Sequence, residues 1–153
     1  MSERSTHSVG TILVPLKGVS GDEEVVRQAA LLAKRNRALV YVIYVMVVRQ
    51  ELPLEAEMPE ELEKAERILA EAEKIVQVYG VEFESSILQA RSAGVAIVEE
   101  ATERKADLIM MVVTYRSRLG EFNMGRTVPY ILKNAPCRVW MFRDELSKIK
   151  NNP

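Results

Sequence analysis

The sequence of 153 residues predicts a single doubly wound α/β domain built on a parallel sheet. Three observations carry that expectation. Five β-rich runs alternate with helical stretches along the chain. The first, second and fourth runs are apolar throughout, as strands buried on both faces of a parallel sheet are. The length suits one domain of about 150 residues, which buries roughly two-thirds of its unfolded surface and needs no disulfide or metal staple.

The elements follow in order. The first run is Thr11 to Leu16, TILVPL. The first helix opens on Ser20 with Glu23 three residues later, a capping-box pattern. Val25, Ala29, Leu32 and Ala33 form its buried stripe, and it ends near Asn36. The second run spans Leu39 to Val48. Arg49 to Met58 is a polar, proline-containing linker, expected to be the mobile loop. Helix two starts near Pro59, a favoured first-turn residue, and Gly80 stops it. Leu62, Ala65, Leu69, Ala72, Val76 and Tyr79 recur at spacings of three and four, a stripe for packing on the sheet rather than a coiled-coil seam.

The third run, Val81 to Leu88, mixes polar and apolar residues and belongs nearer the sheet edge. Helix three covers about Ser92 to Lys105, with Val95, Ile97, Val98 and Ala101 as contacts. The fourth run is Asp107 to Val113. Helix four covers Thr127 to Asn134 and buries Val128, Ile131 and Leu132, with Pro129 in the tolerant first turn. The fifth run is Cys137 to Arg143. The domain is thus 11–143, flanked by a flexible tail 1–10 and a polar tail 144–153. In sheets of this kind ligands bind at the carboxyl ends of the strands, where the winding order reverses. That singles out the loops Lys17 to Gly21 and Thr114 to Gly125.

Composition excludes several function classes. Lysine and arginine total 21 against 22 acids, so the chain is not a uniformly basic nucleic-acid binder. One cysteine, Cys137, rules out an intrachain disulfide, a CxxC motif and a zinc ribbon. The single histidine, His7, sits in a polar N-terminal stretch, which speaks against a histidine metal site or a Ser-His-Asp triad. The longest apolar run, Ala38 to Val48, is shorter than the ~20 residues of a membrane span, and no apolar segment of the signal-peptide kind precedes the first strand. The expected location is cytoplasmic, without membrane insertion. The near-neutral charge is also segregated. Glu51 to Lys74 holds nine acids and three bases, whereas Val113 to Lys150 holds eight bases and three acids.

Two segments carry a resemblance. ILVPLKGVSGDEEVVRQAALLAKR resembles the opening of universal stress proteins. DLIMMVVTYRSRLGEFNMGRTVPYILKNAPCRVWMF resembles their closing segment, and the Asn134-Ala135-Pro136-Cys137 turn before an apolar strand is its most specific piece. The resemblance covers nearly the whole chain. It implies a Rossmann-like fold of the adenine-nucleotide alpha hydrolase type, with a five-stranded sheet in the order 3-2-1-4-5 and a homodimer formed through the fifth strand.

The resemblance also implies a place for ATP or AMP. The family fingerprint sets an acid after strand one; after strand four it sets Gly, two residues, Gly, nine residues, and Gly followed by Ser or Thr. Glycines let backbone N–H groups approach phosphate, and a helix N-terminus holds the anion. Laid on that pattern, this chain has Lys17 at the acidic position, Val112 and Tyr115 at the first two glycines, Gly125 at the third, and Arg126 at the hydroxyl position with Thr127 one step on. Four of the five positions depart, which implies a nucleotide site that is remodelled or lost.

The candidate crevice comprises Lys17, Gly18, Val112, Tyr115, Arg116, Arg118, Gly125, Arg126 and Thr127. Its cations form either an anion site or a set of solvated loop charges paired with acids such as Glu121. Tyr115 either stacks on a base or fills the adenine pocket, and Thr127 either contacts an anion or caps helix four. Cys137 reads as a small core residue rather than a nucleophile. Glu82 and Glu84 share a strand face with no partner apparent in sequence.

In the fifth run Cys137, Val139 and Met141 face one side, and Arg138, Trp140 and Phe142 the other. A long apolar edge of this kind invites pairing with a second copy, through Val139, Trp140, Met141 and Phe142. Two functions fit. One is a non-enzymatic, dimeric stress-response or regulatory protein that binds an unknown protein partner or a phosphate-like anion. The alternative is an ATP- or AMP-binding module with slow ATP hydrolysis. Neither calls for a metal ligand set or for nucleic acid.

Overall fold

The computed structural model describes residues 9–113, 116–118, 121–123 and 125–143. Its elements run β1 (Thr11–Leu16), α1 (Asp22–Asn36), β2 (Leu39–Val47), α2 (Pro59–Tyr79), β3 (Glu82–Ala90), α3 (Ala93–Glu103), β4 (Leu108–Val112), β5 (Arg116–Arg118), β6 (Glu121–Asn123), α4 (Thr127–Asn134) and β7 (Arg138–Phe142). Five strands form a parallel sheet in the order β3-β2-β1-β4-β7. That is the expected 3-2-1-4-5 order, with β7 as its fifth strand. The winding reverses between β1 and β4, as expected.

Side-chain parity along the strands divides the core in two, because successive residues point to opposite faces. Ile12, Val14, Val40, Val42, Leu108 and Met110 meet Val25, Ala29, Ala65, Leu69 and Val76 on the face covered by α1 and α2. Leu13, Tyr41, Ile43, Ile109 and Met111 meet Ile97, Ala101, Val128 and Ile131 on the face covered by α3 and α4. Both faces of the central strands are therefore dry, which is why their sequence is apolar without alternation. β3 lies at the edge and is only partly buried, as its mixed composition anticipates.

Several local expectations are corrected. Ser20 does not cap α1; the N-cap residue is Gly21, in the left-handed region at φ 101°. Asp22 orders the turn instead, its Oδ2 accepting N–H bonds from Gly18 at 2.7 Å and Val19 at 3.3 Å. Leu132 is 56% exposed, because α4 is a two-turn helix that buries only Val128 and Ile131. Leu62 and Val95 also face outward. Thr127 is the first residue of α4, and Arg126 holds the cap position without a side-chain bond. The linker 49–58 is tied down: Gln89 Nε2 donates to the carbonyls of Leu54 and Ala56 at 2.8 and 2.7 Å, and Arg91 donates to the Arg49 carbonyl. An antiparallel β5–β6 hairpin stands in the long loop after β4.

Other signals are met in the structure. Pro59 opens α2, and Gly80 closes it at φ 67°. Ser92 caps α3, its side chain accepting the Val95 N–H at 3.4 Å.

Candidate functional site

A cleft of about 300 Å³ opens over the carboxyl ends of β1 and β2, beside the winding reversal. Pro15, Leu16 and Lys17 form one wall, and Tyr44, Val45 and Val47 a second. Ala93 and Ile97, from the first turns of α3, and Gly125, Arg126 and Thr127, at the start of α4, close the remaining sides. Parallel packing brings these together. Every βα connection leaves the sheet at the same end, so two helix N-termini and two strand ends converge there.

The lining is apolar at the strand ends and cationic at Lys17 and Arg126. Gly125 has φ 72°, a left-handed conformation that favours glycine, and a Cβ built on it meets nothing within 4 Å. The N-terminus of α4 adds the partial positive charge of aligned peptide dipoles. Chemically, the cleft offers a dry wall for a flat apolar group and cations for an anion.

Sequence reasoning overlooked Tyr44. It reads as one more apolar strand residue, yet its hydroxyl donates to Glu61 Oε1 at 2.5 Å and so ties the end of β2 to the first turn of α2. Burial first, then the Glu61 carboxylate and the Asp22 charge, push its phenol well above the ordinary range. Tyr44 therefore remains a neutral hydrogen-bond donor. The signal for it was a second phenol, after Tyr41, in the carboxyl half of a strand otherwise dominated by aliphatic residues.

Four sequence candidates, Lys17, Gly125, Arg126 and Thr127, come together in this cleft. Gly18 and Val112 do not. Gly18 turns at φ 76° against α2, where a Cβ would sit 2.9 Å from Ile68 Cδ1, so it serves close packing. Val112 is buried among the residues on the α1–α2 face, because strand parity aims it into the core rather than the mouth. Tyr115 lies outside the described residues, and so do the side chains of Arg116 and Arg118.

Two further expectations resolve outside the cleft. Cys137 is half-buried against the α3–α4 core, and burial followed by the Asp107 charge pushes its thiol up, away from the reactive thiolate. Glu84, which has no partner apparent in sequence, is ion-paired with Arg104. That guanidinium also lies 4.1 Å from the Tyr41 ring centre. Among the described residues no group of three or more His, Cys, Asp or Glu side chains is arranged to hold a metal. No described helix is long and apolar enough to cross a membrane.

The profile of the universal stress protein family matches residues 9–143. Universal stress protein MJ0531 of Methanocaldococcus jannaschii is 33% identical over 134 residues, covering 84% of this chain and 78% of that protein. The chain belongs to the universal stress protein family. Solved structures of universal stress proteins share its fold. One, from Archaeoglobus fulgidus in complex with dAMP, is 22% identical with a TM-score of 0.69 and covers 86% of this chain and 96% of its own. Another, in complex with cAMP, is 18% identical with a TM-score of 0.66 and covers 88% of this chain and 96% of its own. In this universal stress protein the acid nearest the strand-one turn, Asp22, is drawn into the α1 turn and the groove between α1 and α2.

Proposed function

We propose that this universal stress protein is a non-enzymatic regulatory protein that acts as a dimer, and that its cleft binds a phosphate-bearing ligand through side-chain cations. The observation that carries the reading is the cleft itself. It has a volume of about 300 Å³ and brings Gly125 together with Lys17 and Arg126 in its lining. A glycine-rich backbone cradle is thereby exchanged for charge-assisted contacts from side chains. The relatives solved with dAMP and cAMP make nucleotides the first ligands to try.

Thermal melts with inorganic phosphate, AMP, cAMP and ATP test this. A ligand present at 100 times its dissociation constant stabilises by about 2.7 kcal/mol. The expected outcome is stabilisation by at least one nucleotide, sharply reduced in a Lys17→Met, Arg126→Gln double variant. Stabilisation that survives both substitutions, or phosphate release in single-turnover assays with ATP, overturns the reading.

A further inference from the structure

Resting on that reading of the cleft, we propose that the site takes its nucleotide as the free anion and disfavours the magnesium complex, Lys17 and Arg126 supplying the charge that a divalent ion would otherwise supply. The described lining holds two cations and no carboxylate. Asp22, whose carboxyl interacts with Lys17, lines the separate groove between α1 and α2, where its Oδ2 is engaged by the N–H groups of Gly18 and Val19. Glu61 accepts the Tyr44 hydroxyl and does not line the cleft.

Magnesium dehydrates reluctantly, wants near-octahedral oxygen ligands, and is usually held by one or two carboxylates together with the substrate phosphates. A cleft lined in this way has no such anchor among its described residues. Its cations also compete with the ion for the same phosphate oxygens and repel it across a partly apolar site, where screening is weak. The two cations of the described lining favour the more negative species. Uncomplexed ATP is more negative than its magnesium complex, so ATP is the probe whose speciation reads out the site. AMP holds magnesium weakly and serves as the internal control.

The experiment is calorimetric titration of the full chain with ATP and with AMP, once in EDTA and once in saturating magnesium at matched ionic strength. ATP is expected to bind at least tenfold tighter in EDTA than in magnesium, with AMP changing far less. Lys17→Glu, which puts an acid at the family's acidic position, is expected to weaken binding in EDTA more than tenfold and to narrow or reverse the magnesium effect. Arg126→Gln, at an exposed position, is expected to weaken ATP in EDTA without requiring any rearrangement of the fold. Circular dichroism of each variant separates lost binding from lost folding. Equal or tighter ATP binding in magnesium overturns the proposal while leaving the phosphate-binding reading intact. Absence of binding by both probes under both conditions overturns the reading and the proposal together.

Discussion

Asp22 shows how one side chain can hold a turn and leave a titratable liability behind. Its Oδ2 is fully used by two backbone donors, while its Oδ1 is buried with no partner among the described residues. Burial raises its pKa above the ordinary 3.8, outweighing the N–H bonds and the Lys17 charge, which pull it down. An acid whose folded pKa is raised binds more protons in the folded state than in the unfolded one. Its contribution is therefore fullest below 3.8 and declines as pH rises from there through the raised value. Asp22→Asn keeps an acceptor and cannot ionise, so denaturant titrations are expected to show a flatter fall in stability over that window than the parent chain. An unchanged slope would remove Asp22 from the account. Asp22→Ala loses both N–H bonds and is expected to cost about 1–3 kcal/mol. Tyr41 gives a second test at this scale. Its buried hydroxyl bonds Ser86 at 2.8 Å and Glu100 at 2.9 Å, joining β2 to β3 and α3. Tyr41→Phe is expected to cost about 1 kcal/mol by urea denaturation, and no measurable loss would mean that water replaces both contacts. Lys17, Gly125, Arg126 and Thr127 line one cleft, as laying the chain on a motif along its length groups them. The places of Gly18 and Val112 were not legible in that way, because a side chain's destination depends on strand parity and on which helix passes overhead.

At the scale of elements, long apolar strands and helices with a marked stripe were readable to within a residue or two, since burial on both faces leaves an unbroken apolar signature. β1 and α4 have the bounds that composition and capping residues suggest. The β5–β6 hairpin was missed for a physical reason. Three-residue strands reading RSR and EFN are too short to show alternation. Linker 49–58 was expected to be mobile because it is polar and contains proline, yet its restraint comes from β3, more than thirty residues on. Gln89 spends both amide hydrogens on the carbonyls of Leu54 and Ala56, so one side chain satisfies two backbone acceptors of a segment with little regular structure. Gln89→Ala is expected to raise the rate of limited proteolysis within 49–58 several-fold while leaving the melting temperature within about 2 °C, because loop tethers add little to global stability. An unchanged cleavage rate would show that the Arg91 bond to the Arg49 carbonyl and the turn bonds Leu52 N–H to Arg49 and Ala56 N–H to Pro53 hold the linker without Gln89.

At the scale of the whole molecule, one side of the sheet ends in a strand with a single neighbour among the described residues. β7 pairs with β4 from Arg138 to Phe142 and is the outermost strand on that side. Cys137, Val139 and Met141 pack inward on the α3–α4 face, and Phe142 packs on the opposite one. Trp140 is 46% exposed, an aromatic side chain of large area beside an edge that no other described strand pairs. Edge strands are normally shielded by charge, proline or a covering segment, and β7 has Arg138 at its start but aliphatic and aromatic side chains from Val139 to Phe142. Antiparallel pairing of two such edges satisfies both rows of backbone groups and places the two Trp140 side chains near a common two-fold axis. Trp140 is the only tryptophan, so a change in its fluorescence on dilution tests this pairing directly. The chain is expected to sediment as a dimer at micromolar concentration and to show a red shift in tryptophan emission as dilution populates the monomer. Trp140→Lys adds charge to the edge and is expected to give a folded monomer at the same concentration. A parent chain that sediments as a monomer with dilution-independent emission would refute pairing through β7. A dimer that persists unchanged in Trp140→Lys would move the interface elsewhere on the surface.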